Sequence, residues 1–328
     1  MKARRPLLSL GLDLDNLWSY MKIHGDAGWD LYPSYLDKLM PILLDVTRRQ
    51  GVAMTVFIVG QDAALDKNRE ALSALARAGF EIANHSFRHE PWFHLYSRAE
   101  IEEEFRRSEE AIEKATGRRP VGFRGPGFSL SNDTLRVLAG RRYLYDCSTL
   151  PTFLGPLARA YYFATAGKMS DEEREKRNKL YGTLADGLQP IQPYVWEIDG
   201  RKLVELPVTT MPGPRTPFHM SYLLYLMRFS RVAAWAYFRT ALALCRMTGV
   251  SPSFLLHPLD FLGGDLVPEL KFFPGMDLPT QRKLDFVGSI LEAIRTSYEV
   301  VTLEEHARAM ERSSDVGVRR VRGELALG

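Results

Sequence analysis

His85 and His89 stand four residues apart in Asn84-His85-Ser86-Phe87-Arg88-His89, after the short apolar run Phe80 to Ala83 and before Pro91. From one turn or tight loop, two imidazoles at that spacing can reach a common point, which is a spacing a transition metal can use. A pair alone also suits structural histidines, so the chain has to supply a third ligand, a base and an acid. Asp13 and Asp15 lie at the end of the apolar run Leu7 to Leu12. In a strand they project to one side, where two carboxylates repel unless a cation or a shared proton intervenes. Arg124 closes the strand Val121 to Arg124 and leads into Gly125-Pro126-Gly127-Phe128. Arginine there can hold a carboxylate by two hydrogen bonds, and the glycines let backbone N–H groups approach a ligand. Asp146 ends a further strand, and His257 ends the run Ser253 to Leu256. Strand end after strand end finishes on a titratable or metal-binding group, and that coincidence favours a site over scattered structural residues.

The elements that must carry these groups alternate. Leu7 to Leu12 reads as a strand, Ser34 to Gln50 as a helix stopped by Gly51, with Pro41 expected to kink it or open a second turn. A strand at Ala53 to Val59 and a helix at Asn68 to Ala78 precede the strand at Phe80. Ser97 and Glu100 form a capping box that opens a helix running to Gly117. Ser131 to Ala139 reads as a helix, and Thr280 to Thr296 as the last one before a short strand at Tyr298 to Thr302. Such alternation predicts an α/β fold with a parallel sheet and crossover helices, open or closed into a barrel. In these folds chemistry collects at the C-terminal ends of strands, where the aspartates and histidines lie.

The chain has 328 residues, 45% hydrophobic and 25% charged, with 43 basic and 40 acidic residues and a net charge of +3. That is a globular composition too balanced to argue for nucleic acid. Cys147 and Cys245 are far apart and form no CxxC, which suits a reducing compartment. The basic start is followed by only a short apolar run before Asp13, so the N-terminus reads as a first strand and the protein is expected in the cytoplasm.

Taken together these stretches resemble the polysaccharide deacetylase family, the NodB-homology domain or carbohydrate esterase family four. Asp13-Leu14-Asp15 is similar to its first motif, His85 to His89 to its second and Arg124 to Phe128 to its third. Tyr145-Asp146-Cys147-Ser148 and Leu255-Leu256-His257 are similar to the fourth and fifth. The resemblance covers about residues 5–150 and 250–305 and implies a distorted (β/α) barrel. It implies that Asp15, His85 and His89 bind a divalent metal, commonly zinc, with open positions for water and substrate. Asp13 would be the general base, oriented by Arg124, and His257 the general acid, kept protonated by Asp146. A backbone N–H near Gly127 or Phe128 would help hold the oxyanion, and Asn16, Pro126, Gly127 and Phe128 would lie against substrate.

The chain departs from the family pattern in three places. Leu14 separates aspartates that are usually adjacent, which leaves open which is base and which is ligand. Gly127-Phe128 stands where an aromatic before glycine is usual, and Cys147 where tryptophan is common.

Residues 150–250 are expected as an inserted cap or membrane-facing subdomain of a single domain spanning 1–310, with a mobile tail over 311–328. The cap holds Tyr161-Tyr162-Phe163, a charged helix at Asp171 to Lys179 and a hairpin around Asp199-Gly200. In the run Phe218 to Met247, helical spacing gathers Arg228, Arg231, Arg239 and Arg246 near one face, opposite Leu226, Ala233, Tyr237 and Leu244. This element either lies in a membrane headgroup layer or packs on the barrel. By analogy with a branch of the family that has a similar Asp-x-Asp motif, the expected substrate is an N-acyl aminosugar on a polyprenyl phosphate at the inner membrane face. The alternatives are hydrolysis of a non-sugar amide or formyl group, and a barrel that binds carbohydrate or lipid without catalysis.

Overall fold

The computed structural model describes residues 5–155 and 184–321. The aromatic triplet at 161–163 and the charged run 171–179 lie outside the described residues. The chain opens with β1 (Leu7–Asp13), buried almost throughout, and α1 (Leu17–His24). Next come α2 (Leu36–Gln50), β2 (Thr55–Ile58), α3 (Gly60–Ala64), α4 (Arg69–Arg77) and β3 (Glu81–Asn84). Then follow α5 (Arg98–Thr116), β4 (Gly122–Phe123), α6 (Asn132–Gly140) and β5 (Tyr145–Asp146). The helix stops fall where the sequence puts them. Gly51 and Gly117 take the left-handed conformation at the ends of α2 and α5, and the Ser97–Glu100 capping box is formed. Pro41 does not open a second helix: α2 continues through it from Leu36 to Gln50.

Beyond the family motifs lie the antiparallel hairpin β6 (Tyr194–Ile198) and β7 (Arg201–Glu205), then α7 (Met220–Met227), α8 (Arg231–Met247) and β8 (Ser253–Leu256). Asp199 and Gly200 both have positive φ, 49° and 78°, the backbone a tight hairpin turn requires. The chain closes with α9 (Thr280–Ser297), β9 (Glu299–Val301), α10 (Leu303–Glu311) and β10 (Gly317–Arg320). Residues 317–320, expected in a mobile tail, instead pair with β6.

The strands form one sheet in the order β10-β6-β7-β5-β4-β3-β2-β1-β8, with β9 also on β1. Every ladder is parallel except β6–β7. This is the α/β architecture of the distorted barrel. Among the described residues its two ends, β8 and β10, do not pair, so the sheet is not closed. Of the stretch expected as a cap, residues 194–205 extend the sheet beside β5. The run Phe218 to Met247 is two helices joined at Phe229–Ser230. Their residues Leu223, Leu224, Met227, Phe238 and Leu242 pack into the largest core cluster together with β1, β8, α2 and α9.

Candidate active site

The strands β1, β3, β4, β5 and β8 run in one direction, so they deliver their polar C-termini to one rim of the sheet. At the end of β1 the two aspartates part company. Asp13 Oδ1 accepts from Arg124 Nη1 at 2.5 Å, and its Oδ2 lies 4.0 Å from His257 Nε2. Asp15 Oδ1 instead lies 2.9 Å from His89 Nε2 and 3.4 Å from His85 Nε2. The three potential ligand atoms of Asp15, His85 and His89 all fall within 4.8 Å of one another.

The β3 loop is bent to achieve this. Ser86 and His89 both have positive φ, 61° and 54°, which turns the second imidazole back over the first. The bend is held from α5, where buried Glu104 accepts from the backbone N–H groups of Phe87 and Arg88 at 2.9 and 3.0 Å. His85 Nδ1 lies 2.6 Å from the Arg124 carbonyl oxygen. A carbonyl can only accept, so Nδ1 carries the proton and Nε2 is left for the site.

Burial pushes the Asp15 carboxyl up, but the His89 and His85 imidazoles outweigh it and hold the group well below the usual carboxylate range. Burial likewise disfavours a charged His85, yet Asp13 and Asp15 raise it. Asp15 Oδ1 is buried and accepts no hydrogen bond. An orphaned carboxylate oxygen facing two Nε2 atoms is a donor set that fits a divalent cation.

Arg124 is fully buried. Its Nε donates to the Cys147 carbonyl at 3.2 Å, and its guanidinium lies over the Phe57 ring at 4.2 Å. Gly125 to Phe128 forms a 3-10 turn with positive φ at Gly127 and Phe128. The Phe128 N–H is spent on the Gly125 carbonyl at 3.0 Å, whereas no hydrogen bond engages the Gly127 N–H among the described residues.

Two expected placements are corrected. Asp146 does not meet His257. It is buried against Ser148, whose Oγ donates to it at 2.6 Å, and against Glu205, opposite it in the β5–β7 register. Burial pushes both carboxyls up; the neighbouring Asp146 raises Glu205 further, whereas the hydrogen bond with Glu205 lowers Asp146. Asn16 is fully buried and its amide is used within the protein. Oδ1 accepts from Leu17 N and Tyr35 N at 2.8 and 3.1 Å, and Nδ2 donates to Ser34 and Asp62 at 2.9 and 2.7 Å. It is the cap of α1, not a surface for substrate.

Around His257 stand residues the sequence reading does not single out. Ser221 Oγ lies 3.1 Å from His257 Nδ1, Asp260 Oδ2 accepts from His257 N at 2.7 Å, and the His219 ring packs 6.1 Å away. Burial lowers His219 to about 3, with His257 and Arg124 adding to the effect. The signal for Asp260 is its position three residues after His257, a capping spacing. Ser221 and His219 are hidden at the head of an apolar run.

A family profile described as polysaccharide deacetylase matches residues 26–144, the stretch that carries His85, His89 and Arg124. The peptidoglycan deacetylase-like protein FGM2 of Gibberella zeae is 32% identical over 122 residues, 37% of this chain and 34% of that protein. Residues 26–144 are thus similar to the polysaccharide deacetylase family. The peptidoglycan deacetylase of Helicobacter pylori is 25% identical over 154 residues, 45% of this chain and 51% of that one. The chain thus spans about half the length, or less, of these curated relatives. A Mycobacterium smegmatis structure provisionally named a polysaccharide deacetylase superposes with a TM-score of 0.62 at 20% identity. That alignment covers 99% of this chain and 97% of that one, so the polysaccharide deacetylase fold extends beyond the matched segment.

Proposed function

We propose that this chain hydrolyses the N-acetyl, or another N-acyl, group of an aminosugar, releasing the carboxylate and the free amine. One observation carries the reading: Asp15, His85 and His89 converge beside the Arg124–Asp13 pair, with His257 on the other side of Asp13. Asp15, His85 and His89 would hold a divalent ion, for which zinc suits two imidazoles and a carboxylate. When bound, that ion supplies Lewis acidity to water and to the acyl carbonyl. The geometry supports Asp15 as the ligand and Asp13 as the base, because Asp15 alone faces both imidazoles. Asp13, held by Arg124, takes the proton from the attacking water, and His257 gives a proton to the nitrogen as the C–N bond breaks. The Gly127 N–H is the free donor for the oxygen that gains charge.

A lipid carrier for the sugar is the finer part of the proposal. It is supported by α7 and α8, which expose Tyr225, Phe229 and Val232 together with arginines. The working place would then be the cytoplasmic face of a membrane, by peripheral contact through residues 218–247. Among the described residues no helix is long and apolar enough to cross a membrane.

The deciding experiment measures metal content and acetate release together. The parent protein should hold about one divalent ion per chain, lost in His85→Ala and in Asp15→Ala, and should release acetate from N-acetylated aminosugars. Full metal in both variants, or none in the parent after zinc addition, would remove this mechanism.

A further inference from the structure

His257 Nε2 faces Asp13, so the chemistry asked of the ring depends on what holds its other nitrogen. That nitrogen meets Ser221 Oγ at 3.1 Å, and the same hydroxyl lies 2.8 Å from Asp260 Oδ1. Asp260 is buried, and its second oxygen accepts from the His257 backbone N–H at 2.7 Å. Ser221 has one proton. The carboxylate oxygen is the closer acceptor and hydrogen bonds to carboxylates are the stronger ones, so the proton goes to Asp260. The Ser221 lone pairs then face His257 Nδ1, which must present an N–H to them. The Asp260 backbone N–H also faces the imidazole, but it already closes the 3-10 turn on the His257 carbonyl at 3.0 Å.

We infer that Ser221 and Asp260 are positioning residues that fix the proton on His257 Nδ1 and make Nε2 the nitrogen that gains and gives protons. Neutral or cationic, the ring keeps its Nδ1–H on Ser221, so proton transfer on the substrate side never competes with a change of tautomer. Ser221 comes from α7, outside the stretches that resemble the family motifs, and the pair occupies the place expected of Asp146. The same region packs on the ring, since His219, the cap residue before α7, meets His257 in an edge-on arrangement with centroids 6.1 Å apart.

This inference rests on the reading of His257 as the proton donor, and its test separates the two. Ring nitrogen chemical shifts of His257 in the metal-loaded protein report the tautomer whether or not any substrate is turned over. The parent should show the Nδ1–H form. In Asp260→Asn the His257 backbone N–H still needs an acceptor, so the amide oxygen stays there and the NH2 group turns to Ser221. The hydroxyl proton then swings to Nδ1, and the ring should switch to the Nε2–H form. Ser221→Ala should lose the single tautomer, and Ser221→Thr should restore it. Ser221 is half-buried, so its variants carry the test even where Asp260→Asn folds poorly.

With an active substrate in hand, Ser221→Ala should lower kcat roughly 10- to 100-fold with KM little changed, within the range general acid catalysis contributes. An Nε2–H ring in the parent, a tautomer unmoved by both Ser221→Ala and Asp260→Asn, or a loss confined to KM would each overturn the inference. If the shifts behave as expected but no N-acyl substrate reacts, the relay stands and the proposed reaction falls.

Discussion

Arg124 is the residue on which the catalytic side of the site turns. A fully buried guanidinium is costly unless its hydrogen bonds are met. Here Asp13 takes Nη1, the Cys147 carbonyl takes Nε and the Phe57 ring lies beneath, while Nη2 is buried without a partner among the described residues. Room for it comes from Gly11 on β1. A methyl added there would lie 3.2 and 3.3 Å from Arg124 Nη2 and Nη1, and 3.1 Å from Leu303 Cδ1. Leu303 can shift, but the guanidinium has little freedom. Gly11→Ala should therefore press on the Arg124–Asp13 contact while leaving Asp15, His85 and His89 untouched. The expected outcome is a stability loss of about 1–3 kcal/mol in urea unfolding and roughly tenfold lower kcat/KM, with metal content unchanged. Unaltered turnover would show that Asp13 does not depend on the exact seat of Arg124.

Among the elements, α1 is the one that braces the proposed metal ligands. Its Trp18 packs edge-on against His89 with centroids 6.4 Å apart, and the Trp18 indole N–H donates to Asp62 at 3.0 Å. Asp62 also takes Asn16 Nδ2 and Asn68 Nδ2, so one buried carboxyl ties α1 to the segment after α3. Burial pushes this carboxyl up to about 7, against the hydrogen bonds from Asn16 and Trp18. In the unfolded chain it titrates near 3.8. Between those values the folded form holds a proton that the unfolded form has released. Its contribution is fully present below about 3.8 and is lost as pH rises through about 7. Between about pH 5 and 7.5 the parent should lose on the order of 2 kcal/mol more unfolding free energy than Asp62→Asn, which cannot titrate. Equal slopes in urea titrations would mean that Asp62 stays ionised throughout.

The same elements show what can be read from local pattern. The helix α5 is legible because Ser97, Glu100 and Gly117 mark both its ends, and the β6–β7 turn because Asp199-Gly200 suits positive φ. The strand-end residues of the site are legible because each ends an apolar run. By contrast α1 is short and its cap, Asn16, sits inside the acidic cluster of the first motif, where it passes for a site residue. The pairing of Asp146 with Glu205 depends on β7 lying beside β5, a non-local choice that spacing cannot reveal. The strand β10 buries little and gains its place only through β6. Ser221 and Asp260 meet at His257 because α7 folds onto the turn after β8, again a contact across the chain.

At the scale of the whole molecule the charges are nearly balanced, yet their distribution is not. Between Glu205 and Asp260 the sequence has no aspartate or glutamate, while Arg215, Arg228, Arg231, Arg239 and Arg246 fall in that interval. The buried side of α7 and α8 serves the core, which leaves their outer face for the proposed surface contact. On the outer face Phe229 is 74% and Val232 80% exposed. Arg228 pairs with Asp277, but Arg239 and Arg246 are exposed with no carboxylate at ion-pair distance among the described residues. Uncompensated arginines beside exposed apolar side chains suit an anionic lipid surface, each contributing about 1 kcal/mol there. The protein should co-sediment with vesicles containing phosphatidylserine more than with purely zwitterionic ones, and less as salt rises. Reversing Arg239 and Arg246 to glutamate should weaken that binding about tenfold or more. Phe229→Ser should weaken binding to both kinds of vesicle, because it removes buried apolar area rather than charge. Metal content should not change in either variant, since neither touches the rim of the sheet. If the parent ignores anionic vesicles, or the double reversal binds them equally well, the lipid carrier drops out of the proposal. A freely soluble N-acylated aminosugar then becomes the substrate to assay.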